Sequence, residues 1–138
     1  MQRETASKML LGGAIFNWVV ALTLFFIPGV FLNLLSVTPA PQQSLWVQQF
    51  AGLVFVFGIG YYWASRDFEA NVQIIRMAVI GKAGVVLIGL LNVATGDVSW
   101  QFMLPASGDL IFVILFIMAL KALPTWRSGG VPITQLVE

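Results

Sequence analysis

Long apolar runs broken by short polar stretches set the pattern of this chain. Four runs reach the length of about 20 residues that a helix needs to cross a bilayer core. They extend from about Met9 to Ile27, Ser44 to Ala64, Val72 to Thr95 and Gln101 to Leu123. None alternates with period two, so a barrel of strands is not expected. Pro28-Gly29 ends the first run, and Pro105 lies near the start of the fourth. The pattern predicts an all-α integral membrane protein, an antiparallel four-transmembrane-helix bundle in one domain over 1–123. A cytoplasmic tail follows over 124–138. The first run is too long and uniform for a signal-peptide core, and Pro39 and Pro41 stand where cleavage would fall.

The connections add detail. Ser65 to Asn71 and Gly96 to Trp100 are short, which predicts hairpins between spans two and three and between spans three and four. Asp67 and Glu69 are expected at the start of the third span, where the helix dipole favours acids. The segment Val30 to Leu35 is apolar but too short to span. It is expected to lie in the outer interface or over the mouth of the bundle.

Charge fixes an expected orientation. Arg3, Lys8, Arg66, Arg76, Lys121 and Arg127 all fall at one end, and the opposite loops carry neither Lys nor Arg. The positive-inside rule makes this an N-in/C-in arrangement, with both termini cytoplasmic. Trp46 and Trp100 would then belt the outer interface, with Trp63 and Trp126 at the inner one. Tyr61 and Tyr62 are expected to anchor at the inner interface as well.

Composition removes most chemistries. The chain is 59% hydrophobic and 9% charged, with a mean hydropathy of +0.90 and a net charge of +1. That balance offers nothing to nucleic acid. With no Cys and no His, disulfides, thiol catalysis, Ser-His-Asp sets and the commonest metal and haem ligands are absent. No catalytic set, metal site or cofactor is expected.

What remains is the polar minority inside the spans. Lys82 stands roughly 20 Å from the outer end of its helix, near the bilayer centre, at about 1.5 Å per residue. A lone charge there costs at least ~2.5–3.5 kcal/mol. Asp109 is the only acidic residue within a span, roughly 12 Å deep. The expected vertical gap of roughly 6–8 Å is within reach of a lysine side chain. The pair reads either as an ion pair locking two helices or as a binding or proton-linked site. Asn17, Gln48, Gln49 and Asn92 are candidates to join Lys82 and Asp109 around one pocket.

Helical spacing predicts inward faces. Ala78, Lys82, Val85, Gly89 and Asn92 form one stripe on span three. Gly13, Asn17 and Ala21 form another on span one. Gly52, Val56, Gly60 and Ala64 form a third on span two. Gly13, Gly52, Gly60 and Gly89 are the expected points of close helix approach.

Gln49 to Ala64 (QFAGLVFVFGIGYYWA), Ile80-Gly81-Lys82 and Gly108 to Phe112 resemble small four-helix bacterial membrane proteins of the broadly DoxX-like class. The resemblance implies the four-helix fold and a bacterial inner-membrane location. It also implies, as one alternative, a membrane oxidoreductase built on Lys82 and Asp109, although the redox-linked members' Cys and His are missing here.

Three functions remain in view. The favoured expectation is a non-catalytic accessory subunit that packs on other membrane subunits or on itself. The second is a binding protein for a hydrophobic small molecule, such as a quinone or lipid, in the Lys82/Asp109 pocket. The third is a subunit of a dimeric transporter.

Overall fold

A computed structural model describes residues 1–39 and 44–127 of the chain. The described residues form five helices and a 3₁₀ turn, with no strand among them. These are α1 (Arg3–Phe26), α2 (Pro28–Leu34), α3 (Ser44–Arg66), α4 (Val72–Thr95), the turn Trp100–Phe102 and α5 (Met103–Arg127). α1, α3, α4 and the stretch Trp100–Leu123 around α5 are long and apolar enough to cross a membrane. Of the tail expected over 124–138, residues 124–127 continue α5, and 128–138 lie outside the described residues.

Helix limits follow local chemistry. α1 begins at Arg3 rather than Met9, because Glu4 sits in its first turn and pairs with Lys8 at 2.7 Å one turn on. Ile27 ends α1, and Pro28 opens α2 at a first-turn position, where its missing N–H costs nothing. α4 stops at Thr95 because Gly96 adopts a left-handed φ of 81° and turns its N–H back on the Asn92 and Val93 carbonyls. α5 continues past Leu123 to Arg127, beyond the limit expected from hydropathy.

Asp67 and Glu69 do not sit in the first turn of α4; they belong to the turn before it. The Asp67 carboxylate accepts the Ala70 N–H at 3.0 Å, closing that turn. Glu69 instead pairs with Arg3 at 2.7 Å, and Ser7 Oγ donates to the Ser65 carbonyl. Those contacts gather the start of α1 and the α3–α4 connection at one end, called here the terminal end. At the opposite end, α2 and the loop before Trp100 meet. There the Ser99 N–H donates to the Thr38 carbonyl at 2.8 Å, and Ser99 Oγ accepts the Thr38 N–H at 2.9 Å.

The closest partnerships are α1 with α3 and α4 with α5; α1–α5 and α3–α4 meet over narrower strips. The expected α4–α5 hairpin is therefore intimate. The α3–α4 hairpin is looser than its short connection suggests, and α1 takes the place beside α3. The reason is side-chain size. A Cβ added at Gly58 of α3 would stand 2.5 Å from Trp18 Nε1 and 3.3 Å from the Ala14 carbonyl, so α1 lies almost on the α3 backbone. A tight cluster of Leu10, Ala14, Tyr61, Ile75, Ala78 and Phe116 fills the terminal half of the bundle.

Candidate functional site

The centre of the bundle holds a chain of polar groups that touches all four long helices. Lys82 on α4 donates through Nζ to Asn17 Oδ1 on α1 at 2.9 Å, and to Asp109 Oδ1 on α5. Asn17 uses its other end to donate from Nδ2 to the Val54 carbonyl on α3 at 3.2 Å. The side chains of Lys82 and Asp109 are only 6% and 19% exposed. A buried charge needs a counter-charge and hydrogen bonds to be tolerable, and this lysine has both.

Local sequence explains the convergence. Gly13, Asn17 and Ala21 share the inward face of α1, so the amide points into the bundle with little bulk around it. Lys82 lies on the buried stripe of α4 with Ala78, Val86 and Gly89. Asp109 follows Gly108, where a Cβ would meet the Phe16 ring at 2.6 Å. The missing side chain lets α5 approach α1 and brings the carboxylate within reach of Lys82.

Aromatic rings complete the surroundings. The Lys82 ammonium stands 5.5 Å from the ring centres of Phe16 and Tyr61 and 5.6 Å from that of Phe112. Each ring offers its negative face to the cation. These rings carry no mark of their own in the sequence. Phe16 precedes Asn17, and Phe112 follows Asp109 by one helical turn, so adjacency to the polar residues is the one available signal. Tyr61 is not an interface anchor: it is buried against Phe57 and Phe116, while Tyr62 is the exposed member of the pair.

The polar chain forms one wall of a cavity of about 230 Å³. Its other walls are apolar, with Phe31 and Leu32 from α2, Phe50 and Phe57 from α3, and Val85 from α4 among them. α2 therefore covers the mouth of the bundle, one of the two places expected for Val30 to Leu35.

The remaining candidates separate from this site. Asn92 does not line the cavity and donates to the Ile88 carbonyl of its own helix at 2.8 Å, a bond available to any Asn in a helix end. Gln48 reaches the Phe25 carbonyl at the end of α1 at 3.4 Å, and Gln49 is exposed. Neither lines the cavity. Of the four glycines, Gly13, Gly60 and Gly89 meet neighbours within 3.0 Å of an added Cβ: Phe116, Ile74 and Phe102 respectively. Gly52 meets nothing within 4 Å and faces outward, with Val56. The closest approaches are instead at Gly58 and Gly108, which fall outside the expected stripes.

Chemically, the site offers a buried ammonium in contact with a buried carboxylate. The ammonium has three protons, and two are donated to Asn17 and Asp109. The second Asp109 oxygen has no hydrogen-bond partner among the described residues. One ammonium proton and one carboxylate oxygen therefore remain, beside the Tyr61 hydroxyl, at the polar end of an apolar cavity. No group of His, Cys, Asp or Glu suited to a metal occurs among the described residues.

Comparison with known proteins finds no matching family model, no matching curated protein and no matching solved structure.

Proposed function

We propose that this chain is a multi-pass protein of a bacterial inner membrane, with both termini cytoplasmic, that binds a hydrophobic small molecule in the Lys82/Asp109/Asn17 cavity. One observation carries the reading. An apolar cavity of about 230 Å³ ends in a buried, fully organised polar cluster that still has a donor and an acceptor to offer. Convergent polar groups at one end of an apolar pocket are the usual anatomy of a small-molecule site. A purely structural ion pair needs no cavity beside it. The orientation rests on the Lys and Arg asymmetry, and the bacterial location on the DoxX-like resemblance.

The accessory-subunit reading draws on outward apolar side chains such as Leu110, Ile111, Ile114 and Met118 of α5. Lipid covers such a surface as well as a partner subunit does, whereas the cavity supports binding. Native mass spectrometry of the protein, extracted with its own lipids, separates the two. A monomer or homodimer retaining a quinone- or lipid-sized mass, lost in Lys82→Met, supports binding. A stoichiometric foreign subunit with no small-molecule mass makes it an accessory subunit.

A further inference from the structure

The cavity's walls differ in how well they are closed, and the charges at its polar end are paired. Both features bear on the ligand, and the ligand class they define rests on the binding function just proposed.

The end nearest α2 is roofed. Phe31 and Leu32 line the cavity there, and the segment after α2 is clasped to the opposite loop by the paired Ser99–Thr38 hydrogen bonds. The α1–α5 seam is sealed by aromatic rings, with Phe112 and Phe116 over Gly13 and Phe16 over Gly108. The α3–α4 seam changes along its length. Near the terminal end it is shut, since a Cβ at Gly60 would lie 3.0 Å from Ile74. Farther toward α2, a Cβ at Gly81 would meet only the Phe57 ring, at 3.9 Å. Phe50 and Leu53 line the cavity and yet are 45% and 64% exposed, and Gly81 likewise lines it and is exposed. Side chains that belong at once to a cavity wall and to the outer surface mark an opening, and this one lies in the flank of the bundle.

Size limits what the cavity encloses. An apolar cavity of about 150 Å³ holds a benzene ring. At about 230 Å³ this one takes a single ring or a head of that size with the first carbons of a tail. Any longer tail has to leave through the flank.

Charge limits the head. Lys82 and Asp109 neutralise each other before a ligand arrives. An anionic head brought to the ammonium also meets the Asp109 carboxylate, and a cationic head the reverse. Either loses its hydration without a net attraction in return. A neutral head with a carbonyl or hydroxyl oxygen takes the remaining ammonium proton at little desolvation cost, and a hydroxyl also serves the open carboxylate oxygen.

We infer that the cavity exchanges its ligand sideways with the surrounding apolar phase, through the α3–α4 seam beside Gly81. It selects a neutral, ring-sized head of ketone, quinone or phenol type on an apolar tail.

The test uses the full chain in phosphatidylcholine nanodiscs and three probes with one tail: 4-dodecylacetophenone, 4-dodecylbenzoate and 4-dodecylbenzyltrimethylammonium. The ketone is expected to bind more tightly than either charged probe by at least about tenfold. Gly81→Leu adds bulk where only Phe57 stands near, so the fold is kept, as a thermal melt will verify. It is expected to slow loading and release of the ketone together by about tenfold, whereas Ser99→Ala, which loosens the roof, leaves both within about twofold. Faster exchange in Ser99→Ala with no slowing in Gly81→Leu overturns the lateral route. A charged probe bound as tightly as the ketone overturns the head selection. If the wild type retains none of the three, the binding reading beneath both falls with them.

Discussion

Asn17 grips Lys82 with one end of its amide and the α3 backbone with the other, so a single side chain on α1 ties α4 to α3. Asp109 then ties α4 to α5. Stability and binding both depend on this chain, and they respond differently to its removal.

Removing one charge is expected to be worse than removing both. Lys82→Met leaves the Asp109 carboxylate buried without its counter-ion, at a cost of about 3–5 kcal/mol. Lys82→Met combined with Asp109→Leu is expected to recover most of that loss, because neither charge then needs a partner. Thermal unfolding in detergent measures the cycle. Equal loss in the single and double variants would mean that the pair contributes favourably beyond mutual compensation. Under the proposed function the double variant folds and binds no ligand.

The glycines of α3 are expected to behave oppositely. Gly58→Ala drives a methyl into the Trp18 indole and toward the Ala14 carbonyl, and costs about 1–3 kcal/mol. Gly52→Ala meets nothing and gains helix propensity, up to about 1 kcal/mol. Parallel melting curves of the two variants decide it.

The roof over the cavity has a direct readout. Ser99→Ala removes the acceptor of the Thr38 amide but keeps the backbone bond from Ser99 to Thr38. Loss of one such bond, about 1 kcal/mol, is expected to speed hydrogen exchange at the Thr38 amide about fivefold. The Ser99 amide is expected to change less.

Topology is testable because the chain has no native Cys to give background. Glu4→Cys is expected to react with an impermeant maleimide only when the cytoplasmic face is exposed, and Asp97→Cys in intact spheroplasts. The reverse pattern would place the termini outside.

How far the sequence can be read depends on the geometry of the period. On α4 the expected stripe alternates steps of four and three, from Ala78 through Lys82 and Val85 to Gly89. It stays on the inward face until Asn92, at the helix end. On α3 the expected stripe uses steps of four only. Each such step advances roughly 40° past a full turn, so from Gly52 to Ala64 the line drifts roughly 120° around the helix. Its far end, Gly60 and Ala64, is buried, and its near end, Gly52 and Val56, is not. The true inward face runs through Ala51, Val54, Gly58, Tyr61 and Ser65. Tracing that face moves Tyr61 from the interface to the core.

The Lys82–Asp109 pair is legible because both residues are rare in apolar runs and a lysine side chain can bridge the difference in their depths. The cavity is not, since it depends on how side chains from all five helices meet around it. That is a property of packing, with no period to reveal it.

The order of residues along the chain also has a consequence for assembly. Asn17 is synthesised first, Lys82 well after it, and Asp109 only with the last helix. While the chain grows, the ammonium has an amide to lean on but no counter-ion. Electroneutrality inside the bundle is reached only when α5 arrives. A chain cut short before Asp109 would carry an uncancelled charge into the bilayer, at the full cost of a lone intramembrane ammonium.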